Sequence, residues 1–147
     1  MEMSNLSDRR LERLILVVED DDNDQRLLKW AFLKAGVDQP IHFVHDGAEA
    51  MDYLLGIPPF NNRTRYPLPR LLLLDLQMPR VDGFELLSWL RKLPGLDRLK
   101  VAVMSGSSWQ QNFERARETG PDLYLNKHLD FSYLVEALKR LAAEPAS

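Results

Sequence analysis

The chain has 147 residues, with 19 Lys plus Arg, 22 Asp plus Glu, 3 His and no Cys, for a net charge of −3. That length holds one compact domain without a separate output domain, and 45% apolar with 28% charged residues is the usage of a chain that buries a core, not of a disordered or collagen-like one. The lack of a basic excess speaks against nucleic acid or an anionic membrane as partner, and the lack of Cys removes disulfides, thiol nucleophiles and cysteine metal clusters, in keeping with a reducing, cytoplasmic setting.

Residues 1–13 are mostly polar, carry Arg9, Arg10 and Arg13, and read as a solubilising arm without the apolar stretch of a secretory signal. Leu14 to Val18 (LILVV) is a short continuous apolar run, the pattern of a strand covered on both faces of a parallel sheet. Asp21, Asp22 and Asp24 then cap or flank a helix whose apolar positions, Leu27, Leu28, Ala31 and Ala35, end at Gly36. Ile41 to Val44 is a weaker strand, followed by a helix on Met51, Leu54 and Leu55 that stops at Gly56. Gly56 to Arg70 holds four prolines around a polar centre, which predicts a long surface connection. It reads as a solvated excursion in preference to a docking site built on Arg63, Arg65 and Arg70. Leu71 to Leu74 predicts a third strand, and Leu86, Leu87, Leu90 and Leu93 a third helix ahead of Pro94. Val101 to Met104 predicts the fourth strand, Phe113 and Ala116 the fourth helix before Gly120, and Leu123 to Leu125 a weaker fifth strand. Leu134, Leu138 and Leu141 form a fifth helix behind an Asp130 N-cap, and residues 144–147 a frayed tail. No apolar run approaches the roughly twenty residues of a membrane span. The alternation predicts one doubly wound α/β domain over residues 14–143.

In such a sheet, ligands bind beyond the carboxyl ends of the strands, where strand order reverses. The first strand runs into Glu19 and Asp20, the third into Asp75. If those strands are neighbours, as in the 2-1-3-4-5 order of flavodoxin-like sheets, the three carboxylates converge and their repulsion demands a cation or protons. Oxygen donors without His or Cys suit Mg²⁺. The fourth strand leads into Ser105, Gly106, Ser107 and Ser108, a small hydroxyl-rich step that lets amides and a hydroxyl approach an anion and equally suits a helix start. The fifth leads into Asn126 and Lys127. Each residue alone is ordinary. Together a carboxylate nucleophile, acids for a metal, a hydroxyl and a lysine form the set that receives a phosphoryl group. His42, His45 and His128 are too scattered for a histidine metal site.

The constellation resembles the receiver domain of bacterial two-component response regulators over nearly the whole chain. Glu19 and Asp20 match the family's acidic pair, Asp75 in LLLLDLQMPRVDGFELL its phosphoacceptor, Ser105 its switch hydroxyl and Lys127 its lysine, with Pro79, Asp82 and Gly83 completing the loop signature. The resemblance implies Mg²⁺ on Asp20, Asp75 and the backbone carbonyl of Gln77, with Glu19 acting through water. It further implies that Gln77 and Ser107 flank the phosphoryl group and that Tyr124 is the aromatic switch residue. Glu19 stands for the commoner Asp, Ser105 for the commoner Thr, and His128 for the proline that usually follows the lysine, which leaves the Lys127–His128 peptide isomer open. VEDDDNDQRLL and the Pro-rich connection look most like the stand-alone regulators paired with phytochrome kinases. The implied function is a phosphorelay protein, not an enzyme, that accepts a phosphoryl group on Asp75 from a sensor histidine kinase such as a bacteriophytochrome. Phosphorylation then repacks the face of the fourth helix, fifth strand and fifth helix, which is also where the family pairs with a second copy.

Tyr124 has a second reading as a half-buried sheet aromatic with its hydroxyl at the surface, and Trp109, Phe113 and Phe131 are either core or dimer contacts. Three rival functions remain on the residues. An aspartyl-nucleophile phosphatase would need an acid two residues beyond Asp75, where Gln77 stands. A flavodoxin-like FMN binder would have its phosphate repelled by the acids after the first strand. A degenerate receiver serving only as an interaction module would normally lack one of the acids, the acceptor or the lysine, all of which are present.

Overall fold

A computed structural model describes residues 13–76, 83–96, 99–106, 121–126 and 130–143. Strands β1 (Ile15–Val18), β2 (Ile41–Val44), β3 (Leu71–Asp75), β4 (Lys100–Ser105) and β5 (Leu123–Asn126) pair in parallel as one sheet, in the order β2-β1-β3-β4-β5. Helices α1 (Asp22–Lys34), α2 (Gly47–Leu55), α3 (Gly83–Lys92) and α4 (Phe131–Ala143) cover it. This is the doubly wound, flavodoxin-like order expected from the alternation of apolar runs. The fourth predicted helix, at Phe113 and Ala116, lies outside the described residues.

Successive strand residues point to opposite faces, and the core divides accordingly. Leu16, Val18, Leu72, Leu74, Val101 and Val103 pack with Tyr53 and Leu54 of α2 and Phe84, Leu87 and Leu90 of α3. Ile15, Val17, Leu71, Leu73, Ala102 and Met104 pack with Leu28, Ala31 and Phe32 of α1 and Leu134, Leu138 and Leu141 of α4. Both faces of β1 and β3 are thereby covered, which is why these strands read as unbroken apolar runs instead of alternating ones. Asp21 caps α1 by accepting from the N–H groups of Asn23 and Asp24, and Asp130 caps α4 through Ser132 and Tyr133. α2 closes on Gly56 at φ 71°, a left-handed position that glycine takes without strain. Among the described residues no helix is long and apolar enough to cross a membrane.

Residues 56–70 depart from the expected solvated excursion. Phe60 is buried, and its ring packs with those of His42, Tyr53 and Tyr66 at centroid separations between 5.1 and 5.9 Å. Arg63 turns inward, donating to the carbonyls of Tyr53 and Leu54 at 2.7 Å each and of Tyr66 at 3.2 Å. The prolines exclude a helix but not packing, and a polar centre is no sign of solvation when its cation can satisfy the last carbonyls of α2 and meet the negative end of that helix. Arg65 lies over the Tyr66 ring, 5.5 Å from its centroid. Burial among these rings pushes the His42 imidazole below its usual pKa, with Glu49 pulling the other way.

Candidate functional site

The sheet order makes β1 and β3 neighbours, with Val18 opposite Leu74, so the residues that follow in register meet at one edge. Carboxylate oxygens of Glu19, Asp20 and Asp75 all lie within 4.8 Å of one another. Glu19 and Asp75 are buried, at 0% and 1% exposure, and Asp20 is half-buried. Two carboxylates at that separation repel by roughly 3 kcal/mol at an effective dielectric of about 20, so the trio gains from a cation placed among its oxygens. The donor set is entirely oxygen, the kind that suits a hard ion such as Mg²⁺.

The local chain explains how three acids come to be held there. The Glu19 N–H donates to Val44 O at 3.0 Å, continuing the β1–β2 ladder, and its carboxylate accepts from the Asp21 N–H at 3.2 Å. Its carbonyl accepts from Gln25 Nε2 at 2.7 Å, and the same nitrogen lies 3.2 Å from His45 Nδ1. Asp75 is the last residue of β3, and the Leu76 N–H that follows donates to Met104 O at 2.9 Å. α3 then begins against this backbone. A Cβ added at Gly83 would lie 2.9 Å from Leu76 Cα and 3.2 Å from Asp75 O, so only glycine permits the approach.

Ser105 ends β4, fully buried, one position beyond the Met104 that pairs with Asp75. Tyr124, opposite Val103 on β5, packs against the α2–α3 side of the core and shares a side-chain hydrogen bond with Ser105. Burial raises the Tyr124 pKa and the Ser105 contact works against that rise. Neither sequence reading of Tyr124 anticipated this contact with Ser105. Asp75, Ser105 and Asn126 prove to be the closing residues of their strands, where the sequence placed them just beyond. A polar side chain at a strand end still offers its backbone to the ladder.

Gln77 and Lys127 lie outside the described residues, as do Pro79, Asp82, Ser107, Trp109, Phe113 and His128. Phe131 opens α4 half-exposed, its ring set edge-on to Trp30 of α1 with centroids 6.0 Å apart. On the β5–α4 side, Leu123, Leu125, Tyr133, Ala137 and Arg140 help line a shallow hollow of about 390 Å³. Sequence reasoning missed Gln25 and Arg63. Gln25 carried a signal, because it sits three and seven residues before Leu28 and Phe32, on the inward stripe of α1.

The model of the response regulator receiver domain family matches residues 15–139. The probable methanogenesis regulatory protein FilR2 of Methanothrix harundinacea is 35% identical over 131 residues, covering 89% of this chain and 79% of that protein. The phosphorylated cyanobacterial phytochrome response regulator RcpA superposes with a TM-score of 0.76 at 32% identity, covering 88% of this chain and 91% of that one. Response regulator Rcp1 of Synechocystis is 32% identical over 115 residues, covering 78% of this chain and 76% of that protein. Its Mn²⁺-bound structure superposes with a TM-score of 0.74 at 29% identity, covering 88% and 91% of the two chains. With the family model spanning most of its length and the same sheet order in its own fold, this chain belongs to the response regulator receiver domain family.

Proposed function

We propose that residues 14–143 form a receiver that takes a phosphoryl group on Asp75 from the phosphohistidine of a sensor kinase, in the cytoplasm and with Mg²⁺. The observation that carries this reading is the meeting of Glu19, Asp20 and Asp75 within 4.8 Å at the strand ends, beside a buried Ser105. An Asp75 carboxylate oxygen attacks phosphorus, the P–N bond breaks, and its electron pair returns to the imidazole nitrogen. By the family resemblance, Asp20, Asp75 and the Gln77 carbonyl would hold Mg²⁺ with Glu19 acting through water, and the ion would supply positive charge for the phosphoryl oxygens. By the same resemblance Lys127, which follows β5 in sequence, would add a second positive charge. Gln77 stands where an aspartyl-nucleophile phosphatase keeps its acid, so turnover on phosphate esters is not expected.

A serine hydroxyl has one proton to give and two lone pairs to receive. Ser105 can therefore donate to a phosphoryl oxygen and still accept from a neighbouring hydroxyl such as that of Tyr124. Phosphorylation tightens this pair, and the β5–α4 side, with its hollow by Leu123 and Tyr133, carries the change to a partner or a second copy. The likeness to RcpA supports a phytochrome kinase as the source of the phosphoryl group.

Incubation with acetyl phosphate and Mg²⁺ followed by intact-mass measurement tests this. A phosphate-sized gain is expected for the wild type and none for Asp75→Asn. No gain in the wild type would leave an interaction module, and continuing phosphate release from varied esters would point to a phosphatase.

A further inference from the structure

Gln25 is a buried amide on a helix face that is otherwise apolar, sharing the inward stripe of α1 with Leu28, Ala31 and Phe32 at 7% exposure. Buried amides persist where their protons have partners. Those of Gln25 Nε2 go to Glu19 O at 2.7 Å and to His45 Nδ1 at 3.2 Å, which is an acceptor in the Nε2–H tautomer. The Glu19 carbonyl belongs to the rigid peptide plane that leads into Asp20, so holding that oxygen fixes the direction in which Asp20 leaves the chain. The brace is itself held. The His45 backbone N–H donates to Glu49 Oε2 at 3.0 Å, and the Glu49 N–H donates to Asp46 Oδ1 at 2.8 Å, tying His45 to the cap of α2.

We infer that Gln25 is a positioning residue for the acidic site: its amide holds the Glu19–Asp20 peptide so that both carboxylates meet Asp75 around one divalent ion, with His45 as its support. This rests on the reading of Glu19, Asp20 and Asp75 as a metal site. Hydrogen-bonded groups behind metal ligands orient them, and losing one weakens metal binding by 10- to 100-fold in other sites.

Gln25→Met keeps the length of the side chain and removes both donors. Calorimetric titration with Mg²⁺ and with Mn²⁺ is expected to show affinity about tenfold weaker than the wild type. The rate of phosphorylation by acetyl phosphate is expected to recover as Mg²⁺ is raised to saturation. His45→Phe, which keeps a ring and removes the acceptor, is expected to weaken binding about threefold. A purely structural role would instead lower the melting temperature in chelator and leave metal affinity unchanged, and that result overturns the inference while the metal site stands. If the wild type binds neither ion, the site reading fails and this inference with it. Should Gln25→Met not fold, His45→Phe decides alone, unchanged affinity again overturning the proposal.

Discussion

At the carboxyl ends of β1 and β3, three carboxylates lie within 4.8 Å of one another, two of them buried, whereas beside the edge strand β2 four rings close on each other and a guanidinium satisfies the last carbonyls of α2. Both regions bury polar groups, yet with opposite electrostatic sense. In the aromatic clamp each buried polar atom meets a partner of opposite character, so the region adds stability. At the acidic edge like charges are gathered, an arrangement that persists when an external ligand answers it. Charge removal should therefore separate the two. Changes at the clamp lower stability and spare phosphorylation, whereas Asp75→Asn abolishes phosphorylation without lowering the metal-free melting temperature.

The largest effect on stability is expected from Arg63→Ala. It deletes three hydrogen bonds from a charged donor, two of them at 2.7 Å, and leaves the carbonyls of Tyr53 and Leu54 without that donor. Bonds to charged groups contribute about 1.5–3 kcal/mol each and are not additive, so a loss of about 3 kcal/mol is expected in urea unfolding. The phosphorylation rate with acetyl phosphate should stay within about twofold of wild type. A large drop in that rate would join the two regions that the structure keeps apart.

Gly83→Ala comes next and sharpens the contrast, because it strikes the acidic edge through packing instead of charge. The new Cβ would sit 2.9 Å from Leu76 Cα, against backbone that cannot swing aside. Overpacking of this kind costs about 2 kcal/mol, and the strain falls on the peptide that follows Asp75. Both melting temperature and phosphorylation rate should fall together. If stability drops while the rate holds, the approach of α3 to β3 serves the fold alone.

How much of this was legible in the sequence follows from what each residue needs. Leu71 to Leu74 announced a strand because α helices on both sides leave no face for a polar residue, and Asp75 stood out because it breaks that run. Glu19 and Asp20 were legible for the same reason, and strand order brought them together. Gln25 and Arg63 were not read, because a single amide in a helix or one arginine among prolines shows its partner only in three dimensions. Arg63 reaches carbonyls nine and ten residues earlier in the chain, and Gln25 joins groups just beyond β1 and just beyond β2. Apolar periodicity reports which face is covered. It carries no record of where a polar side chain in that face finds its bond.

The smallest effect is the most specific probe of the clamp. Tyr53→Phe keeps the ring and removes the hydroxyl that donates to Pro67 O at 2.9 Å, for an expected loss of about 1 kcal/mol at neutral pH. Burial pushes the Tyr53 pKa from 10.0 up to about 12, with Arg63 pulling it down. Below pH 10 the phenol is protonated in both states and its contribution is fully present. As pH rises from 10 towards 12 the unfolded chain releases this proton while the folded one holds it, so unfolding gains a driving force and the wild type loses stability. The variant lacks that group, and its urea midpoint should fall less steeply over the same range, bringing the two curves together. Parallel curves would mean that Tyr53 ionises as readily in the folded chain as in the unfolded one, and that residues 56–70 lie over the ring without sealing it from water.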